Sequence, residues 1–128
     1  MDPTTLLPKF TLECTKPLAS DSPDHLVPRG TKNDNSRNRL FNRKVELLLT
    51  RRPLRIVDFG CAGGGFVKDC IDDGHHAVGL EGSDYSLRIG RAEWATIPQF
   101  LFTCDITAPL QLRDANGPVK VYLITGWE

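Results

Sequence analysis

The chain has 128 residues, and its sixteen Lys and Arg balance its sixteen Asp and Glu, so the formal net charge at pH 7 is zero. This length predicts one domain or part of one, and a balanced charge without a basic block argues against electrostatic binding to nucleic acid. No apolar run approaches the roughly 18 residues that cross a bilayer, and the first residues lack the order of a signal peptide. We therefore expect a cytoplasmic protein that acts neither on nucleic acid nor at a membrane.

The cysteines and histidines give no sign of a metal site. The four cysteines, at positions 14, 61, 70 and 104, lack the paired spacing of zinc ligands. None of the three histidines stands at metal-ligand spacing to a cysteine or a carboxylate. Because a chain without an export signal stays in a reducing compartment, we predict free thiols and no bound metal.

Composition divides the chain into two parts. Residues 1–33 contain five of the nine prolines, which exclude a long helix or a central strand, so we predict an extended, loosely held arm. Residues 34–128 form the predicted domain. It begins with a helix over about 35–50, because apolar residues recur there at helical spacing. The apolar stripe of this helix is predicted to be buried and consists of Leu40, Phe41, Val45, Leu48 and Leu49.

After Pro53, short β-branched runs replace the helical spacing. We predict, in chain order, a strand over 54–59, a helix over 66–71, a strand over 76–80, a short helix over 85–91, and strands over 100–104 and 120–125. Alternating strands and helices predict βαβ units, which build a parallel sheet with right-handed crossovers. The predicted fold class is therefore α/β.

A glycine-rich turn follows the first of these strands. Seven of the eleven glycines lie between positions 60 and 82, and four of them fall within residues 60–65. In open α/β sheets, ligands bind beyond the carboxyl ends of the strands, where the first N–H groups of the next helix face the cleft. Four glycines in six residues exceed the need of a tight turn, so we expect a ligand here.

Two carboxylates, Asp58 and Glu81, indicate which kind of ligand to expect at this turn. Asp58 stands two residues before Gly60, where dinucleotide enzymes usually keep an apolar residue, and a cationic ligand would tolerate its charge. Glu81 ends the second strand, where a carboxylate can accept hydrogen bonds from both hydroxyls of a ribose. Gly60, Ala62 and Gly65 also fit a relaxed dinucleotide fingerprint. A fragment of an NAD(P)-dependent oxidoreductase therefore stays an alternative.

These residues resemble the motifs of class I S-adenosylmethionine-dependent methyltransferases. Residues 56–64 are similar to the first motif, D-x-G-x-G-x-G, and residues 78–83 resemble the second, with its ribose-binding acid. Residues 102–106 resemble the third motif, and residues 123–128 resemble the start of the fourth. The resemblance runs from about Leu54 to the last residue, with the motifs in the family's order and spacing.

The resemblance implies a Rossmann-like parallel sheet with flanking helices, in which the fourth strand lies beside the first, and S-adenosylmethionine as cofactor. Ala62 stands where the family keeps its middle glycine. The implied cofactor-binding residues are Asp58, Gly60, Cys61, Ala62 and Gly64 along the turn, Glu81, Gly82 and Ser83 at the ribose, and Asp105 and Ile106 at the adenine.

The resemblance also implies methyl transfer, in which the protein mainly aligns the nucleophile with the sulfonium methyl group. The expected acceptor is a small molecule of unidentified structure, and no catalytic residue is assigned. Because the chain reaches only the predicted fourth strand, we expect the cofactor-binding half of a methyltransferase that is truncated there and inactive alone. A module that binds S-adenosylmethionine without turnover is the other alternative.

Overall fold

A computed structural model of the protein describes residues 10–18, 36–114, 117–118 and 123–126. The helices are α1 (Ser36–Leu49), α2 (Gly65–Asp72) and α3 (Tyr85–Ile89), and two 3₁₀ turns follow at Ala92–Ala95 and Pro98–Phe100. The strands are β1 (Thr11–Leu12), β2 (Arg55–Phe59), β3 (His76–Glu81), β4 (Leu101–Thr103), β5 (Leu112–Asp114), β6 (Gly117–Pro118) and β7 (Leu123–Gly126).

The central sheet has the strand order β4-β3-β2-β7, and every neighbouring pair in it is parallel. The middle residues of β2 and β3 are buried, which is why both strands read as nearly continuous apolar runs in the sequence. The predicted α/β class is therefore confirmed. Because the strands are parallel, the loops that leave β2, β3 and β4 all emerge at the same edge, called here the carboxyl edge.

Most predicted elements agree with the structure to within two residues at either end. The helix predicted over 66–71 is α2, and the strand predicted over 76–80 is β3. Of the strand predicted over 120–125, positions 123–125 belong to β7, and positions 120–122 lie outside the described residues.

The buried stripe predicted for α1 is wrong. Leu40 is 67% exposed and Leu48 is 82% exposed, and of the five predicted residues only Val45 is buried. The inner face of the helix instead carries Asn42, which is fully buried and donates a side-chain hydrogen bond to Cys70 Sγ at 3.5 Å. Helix α1 thus packs on α2 through polar contacts as well as through the Phe41 ring, which lies edge-on against Phe66 with 5.9 Å between ring centroids.

Part of the predicted arm is packed against the domain. Strand β1 pairs antiparallel with β5, and β5 pairs with β6, so the three form a second small sheet. The Phe10 ring packs edge-on against Phe100, with 6.5 Å between ring centroids. These contacts hold residues 10–18 against the domain. Residues 1–9 and 19–33 of the arm lie outside the described residues.

The central sheet buries apolar side chains on both faces. On one face, Ile56 and Ala77 pack with Phe66 of α2. On the other face, Val57 and Val78 belong to a cluster that is covered by residues of β1, β5 and their neighbours, namely Phe10, Leu12, Leu110 and Leu112. In the part of the chain described here, no helix is long and apolar enough to span a membrane.

Candidate functional site

The turn between β2 and α2 depends on left-handed backbone. Gly60, Ala62 and Gly64 have φ angles of 76°, 50° and 86°. A residue with a Cβ atom loses about 1–2 kcal/mol in this conformation, which explains glycine at 60 and 64 and makes Ala62 a strained position. The N–H groups of Gly60 and Cys61 both donate to the Leu80 carbonyl, at 2.7 and 3.1 Å, so the turn folds over the end of β3.

The Glu81 carboxylate joins this turn to the loop that follows β3. Its Oε1 accepts the Ala62 N–H at 3.1 Å, and its Oε2 accepts the Ser83 N–H at 3.0 Å. An ionised carboxylate offers about four lone-pair sites, so about two acceptor positions remain for another donor. Glu81 is half-buried, whereas Ser83 is buried. The structure therefore brings together the predicted ribose acid and the predicted glycine turn.

Asp58 and Cys61 lie below the surface of the turn. Asp58 is only 1% exposed, and Cys61 is 6% exposed. Cys61 packs against Gly79 on the neighbouring strand, because a Cβ atom at position 79 would come within 2.7 Å of the Cys61 Sγ. Direct contact between a ligand and either side chain would require the turn to move.

Gly64 fits closely against other side chains of the protein. A Cβ atom there would lie 2.7 Å from Leu101 Cδ1 and 3.2 Å from the Glu93 Cβ. Leu101 and Glu93 therefore already occupy the space beside Gly64.

The 3₁₀ turn Ala92–Ala95 covers one side of the glycine turn. The Trp94 Nε1–H donates to the Ala62 carbonyl at 2.8 Å, and the Glu93 N–H donates to the Gly63 carbonyl at 2.9 Å. Both Glu93 and Trp94 are buried, at 4% exposure each. Neither residue belongs to a recognisable motif, so the sequence did not reveal that they support the turn.

The loop after β4 brings the predicted adenine residues to the same edge. Asp105 Oδ1 accepts hydrogen bonds from the Thr107 N–H at 2.9 Å and from the Thr107 hydroxyl at 2.5 Å. These bonds hold the pKa of Asp105 below its ordinary value. The Ile106 side chain packs against the cluster on the second face of the sheet. Asp105 is therefore ionised at neutral pH. Part of the Ile106 side chain is packed in the core.

Two further residues border this edge and were not predicted. The Leu18 N–H donates to the Gly82 carbonyl at 2.8 Å, which places residues of the N-terminal segment beside the ribose loop. Thr103 is the register partner of Glu81 on β4 and is 8% exposed. Its hydroxyl has no hydrogen-bond partner among the described residues. A buried hydroxyl next to Glu81 is a further polar group at the site.

Glu46, Asp73 and His75 form a second cluster, at the other end of the molecule, whose candidate ligand atoms lie within 4.8 Å of one another. His75 Nδ1 accepts the Leu54 N–H at 2.9 Å, so the ring proton is on Nε2, which lies 2.9 Å from Glu46 Oε1. A ring in this tautomer has no lone pair left for a metal ion.

Two arginines complete this cluster and balance its charge. Arg43 binds both oxygens of Asp73 at 2.7 Å, and Arg52 donates to Glu46 at 2.5 Å. Bidentate guanidinium–carboxylate pairs of this kind are strong and specific. Spacing in the sequence did not reveal this group, because its members come from α1 and from the loops that precede β2 and β3. The geometry indicates an ion-pair network that fastens α1 to the sheet.

The four cysteines are free, as predicted. Burial raises the pKa of Cys70 to about 12 and that of Cys104 to about 11. Both thiols therefore stay protonated at neutral pH, and neither is a nucleophile in this structure.

Comparisons of the chain with protein-family models, with curated proteins and with solved structures found no match. The grounds for a function are therefore the motifs and the geometry of the carboxyl edge.

Paired glycine substitutions test how tightly the turn is packed. Gly64 and Gly90 both have left-handed backbone, but a Cβ atom at position 90 has nothing within 4 Å. We expect Gly90→Ala to lower the free energy of unfolding by about 1 kcal/mol. We expect Gly64→Ala to lower the free energy of unfolding by about 2–4 kcal/mol, because overpacking against Leu101 adds to the backbone strain. Urea denaturation measures both, and equal losses would show that Gly64 is not packed as described.

The His75 network predicts a pH dependence of stability. Burial, followed by the charge of Arg52, lowers the pKa of His75 below its ordinary value of 6.5. The folded state therefore favours neutral His75. The contribution of this preference to the free energy of unfolding is complete above about pH 6.5 and is lost as the pH falls below that value. The loss one pH unit below 6.5 is at most about 1.4 kcal/mol per histidine.

His75→Gln keeps an acceptor for the Leu54 N–H and removes the titration. We expect its free energy of unfolding to fall less between pH 7.5 and 5.5 than that of the wild type, as measured by urea denaturation. His76, whose pKa is also lowered by burial, contributes to the pH dependence of both proteins. An identical dependence in the two proteins would exclude His75 as a source.

Proposed function

We propose that the chain binds S-adenosylmethionine at the carboxyl edge of its central sheet and is the cofactor-binding half of a class I methyltransferase. The observation that carries this proposal is the position of the Glu81 carboxylate. It lies against the glycine turn and keeps acceptor sites for the two hydroxyls of a ribose.

The strand order supports a Rossmann-like assignment. The four parallel strands, counted along the chain, have the spatial order 3-2-1-4, which is the order of the first four strands in doubly wound nucleotide-binding folds. One feature departs from that fold. Among the described residues between β4 and β7, the chain forms β5 and β6 and no helix.

The donor and acceptor chemistry of the edge fits the cofactor. Glu81, Asp105 and the buried hydroxyl of Thr103 offer oxygen atoms that can accept hydrogen bonds from ribose hydroxyls and an adenine amino group. The Asp58 carboxyl group is buried behind the turn. A cationic sulfonium group is compatible with a carboxyl group there, whereas a dinucleotide would bring its pyrophosphate to the same place.

When bound, S-adenosylmethionine would supply a methyl group on its sulfonium sulfur, which is a good leaving group. The contribution of this chain is to hold the nucleoside through Glu81 and Asp105, and to present the sulfonium group above the glycine turn. Proximity and alignment account for most of the acceleration in such a reaction. The acceptor is proposed to be a small molecule, and no residue of this chain is assigned as a catalytic base.

Removal of the Glu81 carboxylate tests the proposal. We expect Glu81→Ala to weaken binding of S-adenosylhomocysteine by about 2–4 kcal/mol, because two charge-assisted hydrogen bonds are lost. Isothermal titration calorimetry measures the affinity, and circular dichroism shows whether the variant is folded. Asp72→Asn is the matched control, since Asp72 is an exposed acid of α2 that pairs with Lys68.

The same calorimetry separates the alternatives. Unchanged affinity in folded Glu81→Ala would remove the ribose assignment. Binding of NAD in place of S-adenosylhomocysteine would favour the oxidoreductase fragment. Binding of the cofactor without transfer of a labelled methyl group to any acceptor would favour the module without turnover.

A further inference from the structure

We propose that residues 13–18 form one wall of the cofactor site and that the Leu18 side chain packs against the nucleoside part of the ligand. This contact rests on the proposed function, because it involves the same ligand. Residues 13–18 are called here the crossing segment. They follow β1 and lead to the carboxyl edge of the central sheet. The sequence motifs of the site, which begin at residue 56, do not include them.

The crossing segment is held at both ends by backbone hydrogen bonds. At its beginning, the Glu13 N–H donates to the Gln111 carbonyl at 3.1 Å, next to the pairing of β1 with β5. At its end, the Leu18 N–H donates to the Gly82 carbonyl at 2.8 Å. Pro17, directly before Leu18, has a fixed φ angle. The segment therefore has a defined path from the small sheet to the loop after β3.

Between these ends, the crossing segment passes the loop that follows β4. The hydrogen bonds from Thr107 lower the pKa of Asp105 most, and the positive charge of Lys16 lowers it further. Such an effect requires the two charged groups to lie near each other. Lys16 is therefore close to the predicted adenine residues, while Leu18 is bonded beside the ribose acid. The segment thus spans the two loops that the proposed function assigns to the nucleoside.

Leu18 lies where the loops after β3 and β4 approach each other. A Cβ atom at position 82 would lie 3.5 Å from the Leu18 Cβ and 3.9 Å from the Cys104 carbonyl oxygen. These are ordinary van der Waals distances, so Leu18 packs on Gly82, the residue directly after Glu81. The Leu18 side chain is nevertheless 55% exposed. Part of its apolar surface is therefore available to a ligand.

A nucleoside bound at this edge needs an apolar surface at the same place. The ribose is assigned to Glu81 and the adenine amino group to Asp105, so the base between them extends across the two loops. Ligand sites combine a few polar groups with apolar surface. Part of the Ile106 side chain is packed in the core, whereas Leu18 offers exposed apolar surface. Leu18 is therefore suited to cover a face of the base.

Paired leucine substitutions test this contact by isothermal titration calorimetry of the full chain with S-adenosylhomocysteine. We expect Leu18→Ala to raise the dissociation constant about five- to tenfold, because apolar contact with the base is lost. Leu18→Met keeps an apolar side chain of similar volume and should stay within about twofold of the wild type. Leu48→Ala is the matched control, since Leu48 is an exposed residue of α1, and should leave the dissociation constant unchanged.

Adenosine is the second probe, because it contains the nucleoside and lacks the amino-acid part of the ligand. We expect Leu18→Ala to raise its dissociation constant by the same factor. A change for S-adenosylhomocysteine alone would assign Leu18 to the other part of the ligand and overturn the proposal. Circular dichroism shows whether each variant is folded. In the wild type, where folding of a variant plays no part, we expect nuclear Overhauser effects between the Leu18 methyl groups and the adenine protons.

The outcomes distinguish this contact from the proposed function. If the wild type binds neither ligand, the proposed function fails and the contact fails with it. If Glu81→Ala weakens binding but folded Leu18→Ala binds as tightly as the wild type, only the contact is overturned. Saturable binding without nuclear Overhauser effects from Leu18 to the bound ligand would also overturn the contact alone.

Discussion

The chain passes from β2 into α2 within residues 60–64, and the left-handed backbone at Gly60, Ala62 and Gly64 makes so short a passage possible. The bend brings the Ala62 N–H to the Glu81 carboxylate. It also turns the carbonyl groups of the turn towards the 3₁₀ segment that covers them. The proposed cofactor site depends on this bend, because the bend places the glycine turn against the acid at the end of β3.

The two edges of the central sheet differ in the partners of their charged side chains. At the carboxyl edge, the Glu81 carboxylate accepts two backbone N–H groups and keeps acceptor positions for another donor. At the amino edge, where β2 and β3 begin, the carboxylates of Glu46 and Asp73 are paired with arginines. A ligand that donates hydrogen bonds would therefore meet available acceptors at the carboxyl edge.

Local patterns predicted the parallel strands and α2, because a strand that is buried on both faces must be apolar throughout. They also placed the glycine turn and Glu81 at the ends of strands, where ligands of open α/β sheets bind. They did not indicate which face of α1 is buried, since Leu40 and Leu48 are exposed whereas the polar Asn42 is buried. They did not indicate the pairing of β1 with a strand about a hundred positions later, because composition carries no information on such pairing.

The central claim is that the carboxyl edge binds the nucleoside part of S-adenosylmethionine. The most direct measurement is a ¹H–¹⁵N NMR titration of the full chain with S-adenosylhomocysteine. The account predicts saturable shifts of the Gly60, Ala62, Ser83 and Ile106 amides, with the His76 amide of the opposite edge unchanged. Absence of saturable shifts, or shifts confined to the amino edge, would contradict it.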